Sequence, residues 1–187
     1  MKTNILILLF IVTILNLGFS TKTDPVQITE YINPGKMLIN DKFPLITSGI
    51  KLEKMVGKPD SITKITDWDG ICQSGIRDKN SVFLHYKGST FEGFNDSVSA
   101  VSIDVREGSK FFIQYGKIRL DSKITLLQLK KIFPRSCADI SEVTTNGFIG
   151  KLEMIGIAQA SDPMVESQWV LLFQHGKLVR IDDWLPC

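Results

Sequence analysis

Two Ser-x-x-Lys stretches, two histidines and a few neighbouring carboxylates are the residues here whose types and spacing can support chemistry. Ser48-Gly49-Ile50-Lys51 and Ser61-Ile62-Thr63-Lys64 have the spacing at which a lysine amine activates a serine hydroxyl. That chemistry also needs Ser-Asp-Asn and Lys-Thr-Gly elements, and the sequence has neither. Ser48 is better placed as a helix cap and Ser61 as a post-helix turn residue. His85 falls mid-strand between Leu84 and Tyr86, and His175 falls in a tight turn. A catalytic histidine needs a nucleophile and an orienting carboxylate. Asp104 and Asp182 are the carboxylates on offer, and nothing in the sequence brings them to either ring. Asp67-Trp68-Asp69-Gly70 opens like a calcium loop but lacks the later acid and the terminal glutamate such a loop requires. Asp182-Asp183 would point to opposite faces of a strand. No phosphate-binding, dinucleotide-binding, zinc-protease or nucleophile-elbow motif occurs. The expectation is a protein that is not an enzyme, with no cofactor and no metal; a small hydrolase using His85 or His175 is the remote alternative.

Aromatic residues point to a different role. Phe83, Tyr86, Phe91, Phe94, Phe111, Phe112, Tyr115 and Trp169 crowd the strand-like stretches, and most are expected in the core. Trp68 is different, because it sits between two acids in a polar stretch that shows no apolar period. Loops on a rigid sheet commonly carry recognition, and a tryptophan anchor is a usual interface hot spot. Asp67, Trp68 and Asp69, with Tyr86 nearby, form the expected contact patch for another protein.

The elements that would position such a patch follow from turn and capping signals. Lys36 to Ile39 reads as a short strand. Ser48 or Thr47 can cap a helix with Leu52, Met55 and Val56 on one face, stopped by Gly57 and Pro59. Asp60 to Asn80 reads as a turn-rich excursion. Strands are expected at Val82–Tyr86, Phe91–Phe94 and Val98–Val105, punctuated by Lys87-Gly88 and Asn95-Asp96. Strands at Phe111–Tyr115 and Lys117–Leu120 precede a second helix, capped by Thr125 and closed by Pro134. Phe148–Ala158, Gln168–Gln174 and Leu178–Trp184 complete the pattern, with His175-Gly176 as a tight turn.

Within this pattern the chain repeats itself. Gly35-Lys36-Met37-Leu38-Ile39-Asn40-Asp41-Lys42 reappears altered as Gly116-Lys117-Ile118-Arg119-Leu120-Asp121-Ser122-Lys123. Each copy precedes a short amphipathic segment and ends in a related strand, Val101-Ser102-Ile103-Asp104 or Val179-Arg180-Ile181-Asp182. The expectation is α+β: two tandem β-α-β-β-β units, 35–110 and 111–187, with antiparallel sheets and a helix packed on one face. One such unit buries little surface alone, so a shared core or continuous sheet is expected.

The N-terminus fixes the compartment. Lys2 precedes an apolar run from Ile5 to Leu15, and Gly18 and Ser20 are small residues suited to a signal peptidase. Residues 1–20 are therefore expected to be a secretory signal peptide, and 21–34 a flexible lead-in. The apolar run is shorter than the ~20 residues of a spanning helix, so no stable membrane anchor is expected. The chain is expected in the periplasm or outside the cell. The full chain carries a formal charge of +2, too close to neutral and too evenly spread to favour nucleic acid or a membrane surface. A monomer is expected. The three cysteines, Cys72, Cys137 and Cys187, permit one bridge in an oxidising compartment, for which Cys137–Cys187 is preferred over three idle thiols.

A short helix ending in Val56-Gly57-Lys58-Pro59-Asp60, followed by an aromatic strand and a meander, resembles two families of secreted bacterial modules. One is the helix-plus-sheet domain of the BamE (SmpA/OmlA) type; the other is the tandem modules of the beta-lactamase inhibitor protein. The match covers Gly35 to Val105, and Pro134 replaces the Gly-Lys-Pro signal in the second half. The resemblance implies a protein-binding or inhibitory scaffold, and the expected role is that of an inhibitor or immunity-type protein. The envelope-assembly role of the BamE type is the alternative, although this chain lacks that family's lipidation cysteine. No binding residues carry over from either family.

Overall fold

The computed structural model describes residues 30–65 and 80–185. The leader, Asp67, Trp68, Asp69, Cys72 and Cys187 lie outside the described residues. The fold is α+β, mostly antiparallel sheet with two short helices. Strands β1 (Met37–Ile39), β2 (Phe43–Pro44) and β3 (Ile46–Ser48) precede helix α1 (Gly49–Val56). Then come β4 (Ser61–Lys64), β5 (Val82–Tyr86), β6 (Ser89–Phe94), β7 (Ser97–Asp104), β8 (Ile113–Tyr115) and β9 (Ile118–Leu120). Helix α2 (Leu126–Ile132) leads to β10 (Ser141–Val143), β11 (Leu152–Ala158), β12 (Gln168–Gln174) and β13 (Lys177–Trp184).

A small sheet has the order β2-β1-β8-β9. A large sheet runs β10-β11-β12-β13-β7-β6-β5-β4, with β3 also pairing to β7. The two meanders of the large sheet meet where β13 runs antiparallel to β7. At that seam Ser102 faces Asp182, Ile103 faces Ile181 and Asp104 faces Arg180. The two related Val-x-Ile-Asp segments of the sequence thus lie opposite each other.

Local chemistry explains the element ends. Thr125 and Gln128 form a reciprocal capping box: Gln128 N–H donates to Thr125 Oγ1 at 3.2 Å and Thr125 N–H to Gln128 Oε1 at 2.8 Å. The helix stops at Phe133, because Pro134 has no N–H and its ring blocks a further turn. Ser48 precedes α1 in an extended conformation, but its hydroxyl turns to the Asp96 carboxylate at 3.4 Å rather than to the helix. Gly57 ends α1 at φ 89°, a region costly for a residue with a Cβ. His175 and Gly176 both have positive φ, 51° and 72°, the geometry of a two-residue hairpin turn whose twist matches its strands.

One apolar cluster joins both helices to the large sheet. Leu52 of α1 and Leu129 of α2 are completely buried in it, with Phe91, Ile103, Ile155, Leu171, Phe173 and Ile181. Burying each such side chain contributes ~1.5–3 kcal/mol. Trp169 is also buried, and its indole N–H donates to the Ile32 carbonyl at 3.0 Å, fixing the segment that leads into β1. A second, smaller cluster holds Leu152, Leu172 and Val179, with Phe148 packed against it.

Several expectations need correction. Tyr86 does not lie on an exposed patch: it is 2 % exposed and packs edge-on against Phe91 and Phe111, with ring centroids 5.7 and 5.9 Å away. Strand alternation turns Tyr86 and Leu84 towards the core. Ser61 is not a turn residue, because Ser61–Lys64 is β4, paired from Ser61–His85 to Lys64–Val82. All four of its residues are exposed, so it carries no apolar alternation. The strand expected from Phe148 begins only at Leu152, since Gly147 and Gly150 have φ of 85° and 87° and break the pleat. Strand β10 had no sequence signal; two of its three residues are exposed.

Candidate functional site

The seam carries two buried or half-buried carboxylates, each held by an arginine. Asp104 is 3 % exposed and accepts from the Arg106 backbone N–H and Nε, both at 2.9 Å, and from Arg106 Nη2. The hydrogen bonds and charge of Asp104 raise the basicity of Arg106. The Lys87-Gly88 turn packs so closely that a Cβ on Gly88 would collide with Asp104 Oδ2. Asp182 accepts from Ser102 Oγ at 2.6 Å and from Arg180 Nε and Nη2 at 3.0 and 2.8 Å. Both carboxylates are spent on donors, and the bond from Ser102 to Asp182 ties β7 to β13 across the seam.

The same two arginines clamp a loop. The Phe148 ring lies near both guanidiniums, 4.8 Å from that of Arg106 and 5.4 Å from that of Arg180. Cation–π attraction favours this arrangement. Arg180 Nη2 also donates to Thr145 Oγ1 at 3.2 Å. The next residue after Phe148, Ile149, is 94 % exposed, and its carbonyl accepts from Gln174 Nε2 at 2.9 Å. A large aliphatic side chain is therefore displayed to solvent on a loop tied down on both sides.

Beside this loop lies a groove of about 550 Å3, lined among others by Arg106, Glu107, Lys123, Gln174, His175 and Lys177. Arg106 and Gln174 belong to both features: one stacks on Phe148 and the other holds Ile149. The walls are held by backbone bonds. Lys123 sits in a turn where its N–H donates to Asp121 Oδ1 at 2.9 Å and Ile124 N–H donates to Asp121 O at 3.1 Å. Leu178 N–H donates to the Ile124 carbonyl at 3.1 Å and Leu126 N–H to the Gly176 carbonyl at 2.9 Å. These bonds fix the turn bearing Lys123 against the hairpin bearing His175 and Lys177. Lys123, His175 and Lys177 are all exposed, and neither lysine has an ion-pair partner among the described residues. The arrangement suits an anionic group in the groove with an apolar contact on its rim.

Other residues singled out from sequence fall elsewhere. His85 has threonine hydroxyls at both ring nitrogens, Thr63 Oγ1 2.9 Å from Nε2 and Thr90 Oγ1 3.3 Å from Nδ1. No carboxylate orients that ring among the described contacts. Asp183 faces away from Asp182 and accepts from Gln159 Nε2 at 2.6 Å; burial raises its carboxyl above the ordinary aspartate range, partly offset by that bond. Cys137 is a buried free thiol, pushed up by burial and by nearby Glu30, and its expected partner Cys187 lies outside the described residues. Arg106, Lys123, Lys177 and Ile149 escaped sequence reasoning. The one available signal was Ile149 itself, an aliphatic residue caught between Gly147 and Gly150.

The fold and this surface define an α+β protein with an antiparallel sheet seam and a cationic groove that shares Arg106 and Gln174 with the loop displaying Ile149. No family model matches the chain, and neither a curated protein nor a solved structure matches it. Among the described residues, no helix is long and apolar enough to cross a membrane.

Proposed function

We propose that this chain is an exported, non-enzymatic protein-binding module of the inhibitor or immunity type. Two related units, each a strand, a helix packed on one sheet face and a meander, form its scaffold. The pairing of Ser102-Ile103-Asp104 against Arg180-Ile181-Asp182 supports the duplication, because it brings the two related segments face to face. The observation that carries the binding role is Ile149. It is 94 % exposed, yet its loop is anchored by Gln174 at Ile149 and by two arginines at Phe148. An exposed aliphatic residue on a pre-ordered loop suits a partner, since binding there costs little loop ordering.

Affinity capture from the cells that make this protein, followed by mass spectrometry, tests the proposal. The wild type should retain one stoichiometric soluble protein, and Ile149→Asp should lose it while melting at the wild-type temperature. Retention of membrane-assembly machinery would instead support the envelope-accessory alternative. Equal capture by both variants would move the contact away from Ile149. The N-terminal sequence of the exported protein tests the leader: it should begin at Thr21.

A further inference from the structure

The groove beside Ile149 carries a second message, about the chemistry of the partner. Its lining contains Arg106, Lys123, Lys177 and His175 against the single carboxylate of Glu107. Arg106 is already engaged by Asp104. Lys123 and Lys177 have no ion-pair partner among the described residues, and they come from elements that backbone hydrogen bonds hold together. Leu178 and Val179, both buried, line the same groove. The groove's size lies within the usual range of ligand pockets, roughly 300–1,000 Å3.

We propose that this groove binds a short acidic segment of a partner protein, with two carboxylates meeting Lys123 and Lys177 and an apolar neighbour resting on Ile149. This rests on the protein-binding role proposed above and adds the class of residue the partner presents. Charge complementarity favours this occupant: two ammonium groups without an ion-pair partner among the described residues share one lining with Leu178 and Val179. A dense polyanion fits less well. Glu107 lines the same groove and would repel a continuous run of phosphates, and the chain carries a formal charge of only +2. Carboxylates spaced along a peptide can meet the lysines and avoid Glu107.

The test is an amide-shift titration of the full mature chain with a capped Glu-Glu-Leu-Glu peptide, using Lys-Lys-Leu-Lys and inorganic phosphate as controls. The acidic peptide should give saturable shifts at residues 122–124, 149 and 174–178. Binding should weaken with added salt, because exposed charge pairs are screened. The paired change Lys123→Gln and Lys177→Gln should weaken binding roughly threefold to tenfold, as expected for two exposed ion pairs, with the fold intact. Three results would overturn the inference: equal shifts with the basic peptide, no shifts in the groove, or unchanged affinity in the paired variant. Shifts with phosphate that match the peptide's would show a simple anion site and also overturn it. The two proposals separate in the capture experiment. If the paired variant retains the partner as well as the wild type does, the groove inference fails and the protein-binding role stands. If no partner is retained by any variant, the protein-binding role itself fails.

Discussion

Replacing Tyr86 separates a core residue from a contact residue more sharply than any other change in this chain. Its ring meets Phe91 at 5.7 Å and Phe111 at 5.9 Å, both edge-on, and Phe91 meets Phe111 at 5.2 Å. Removing a buried aromatic ring costs ~3–5 kcal/mol, since transfer and cavity contributions add. Tyr86→Ala should therefore lower the melting temperature by about 6–20 °C, at the 2–4 °C per kcal/mol usual for a chain of this size. Tyr86→Leu keeps apolar bulk but loses two aromatic contacts worth ~0.5–1.5 kcal/mol each, so it should fall between alanine and wild type. Tyr86→Phe keeps both contacts. Burial and the nearby carboxylates of Glu53 and Asp60 raise the phenol's pKa, so it stays neutral at ordinary pH. Loss of the hydroxyl should then cost no more than ~1 kcal/mol. Urea denaturation followed by circular dichroism, with thermal melts alongside, gives all three values. A Tyr86→Ala cost below ~0.5 kcal/mol, the range of surface substitutions, would refute the packing described for this ring.

Three further outcomes follow from single contacts. Asp183 is mostly buried and its folded-state carboxyl titrates above its unfolded value, so ionisation opposes folding and stability should rise as pH falls through that raised value. Asp183→Asn should raise the melting temperature at pH 7 and flatten its change across the mildly acidic range; an unchanged slope would contradict this. Glu30 shows the opposite sign. Burial pushes its carboxyl up, but hydrogen bonds from Ser136 and Arg135 outweigh this and hold it low, so it stabilises above its unfolded value and less as pH falls. Glu30→Gln should then destabilise by ~1–2 kcal/mol at pH 7 and by less near pH 3, measured by chemical denaturation. Thr125→Ala removes half of the α2 capping box and should cost ~0.5–2 kcal/mol, with the loss read by equilibrium unfolding.

Features written in local chemistry could be read from sequence. Thr125 caps its helix, Gly57 stops the other, and Lys87-Gly88 and His175-Gly176 turn their hairpins, because each depends on a backbone angle or donor that one or two residues supply. Features set by tertiary surroundings could not. Ser61–Lys64 is a strand without an apolar face, held by its pairing to β5. Phe148 looks like a strand residue by composition, but the positive φ of Gly147 and Gly150 and the two arginines beside it make it a loop anchor. The inward turn of Tyr86 was within reach, since it shares strand parity with Leu84. The groove was beyond reach, because Arg106, Lys123 and Lys177 are distant in sequence and meet only through bonds such as Leu178 N–H to the Ile124 carbonyl.

The tethering of the 144–150 loop has a consequence for variation. What holds it are backbone and neighbouring groups: the Ile149 carbonyl, the Phe148 ring and the Thr145 hydroxyl. The Ile149 side chain takes no part. Position 149 is therefore a free variable of the scaffold, open to almost any L-amino acid without loss of the loop's shape. If the proposed binding role holds, a lineage following a changing partner, or an engineer seeking a new one, can alter that one side chain and keep the rest of the fold unchanged.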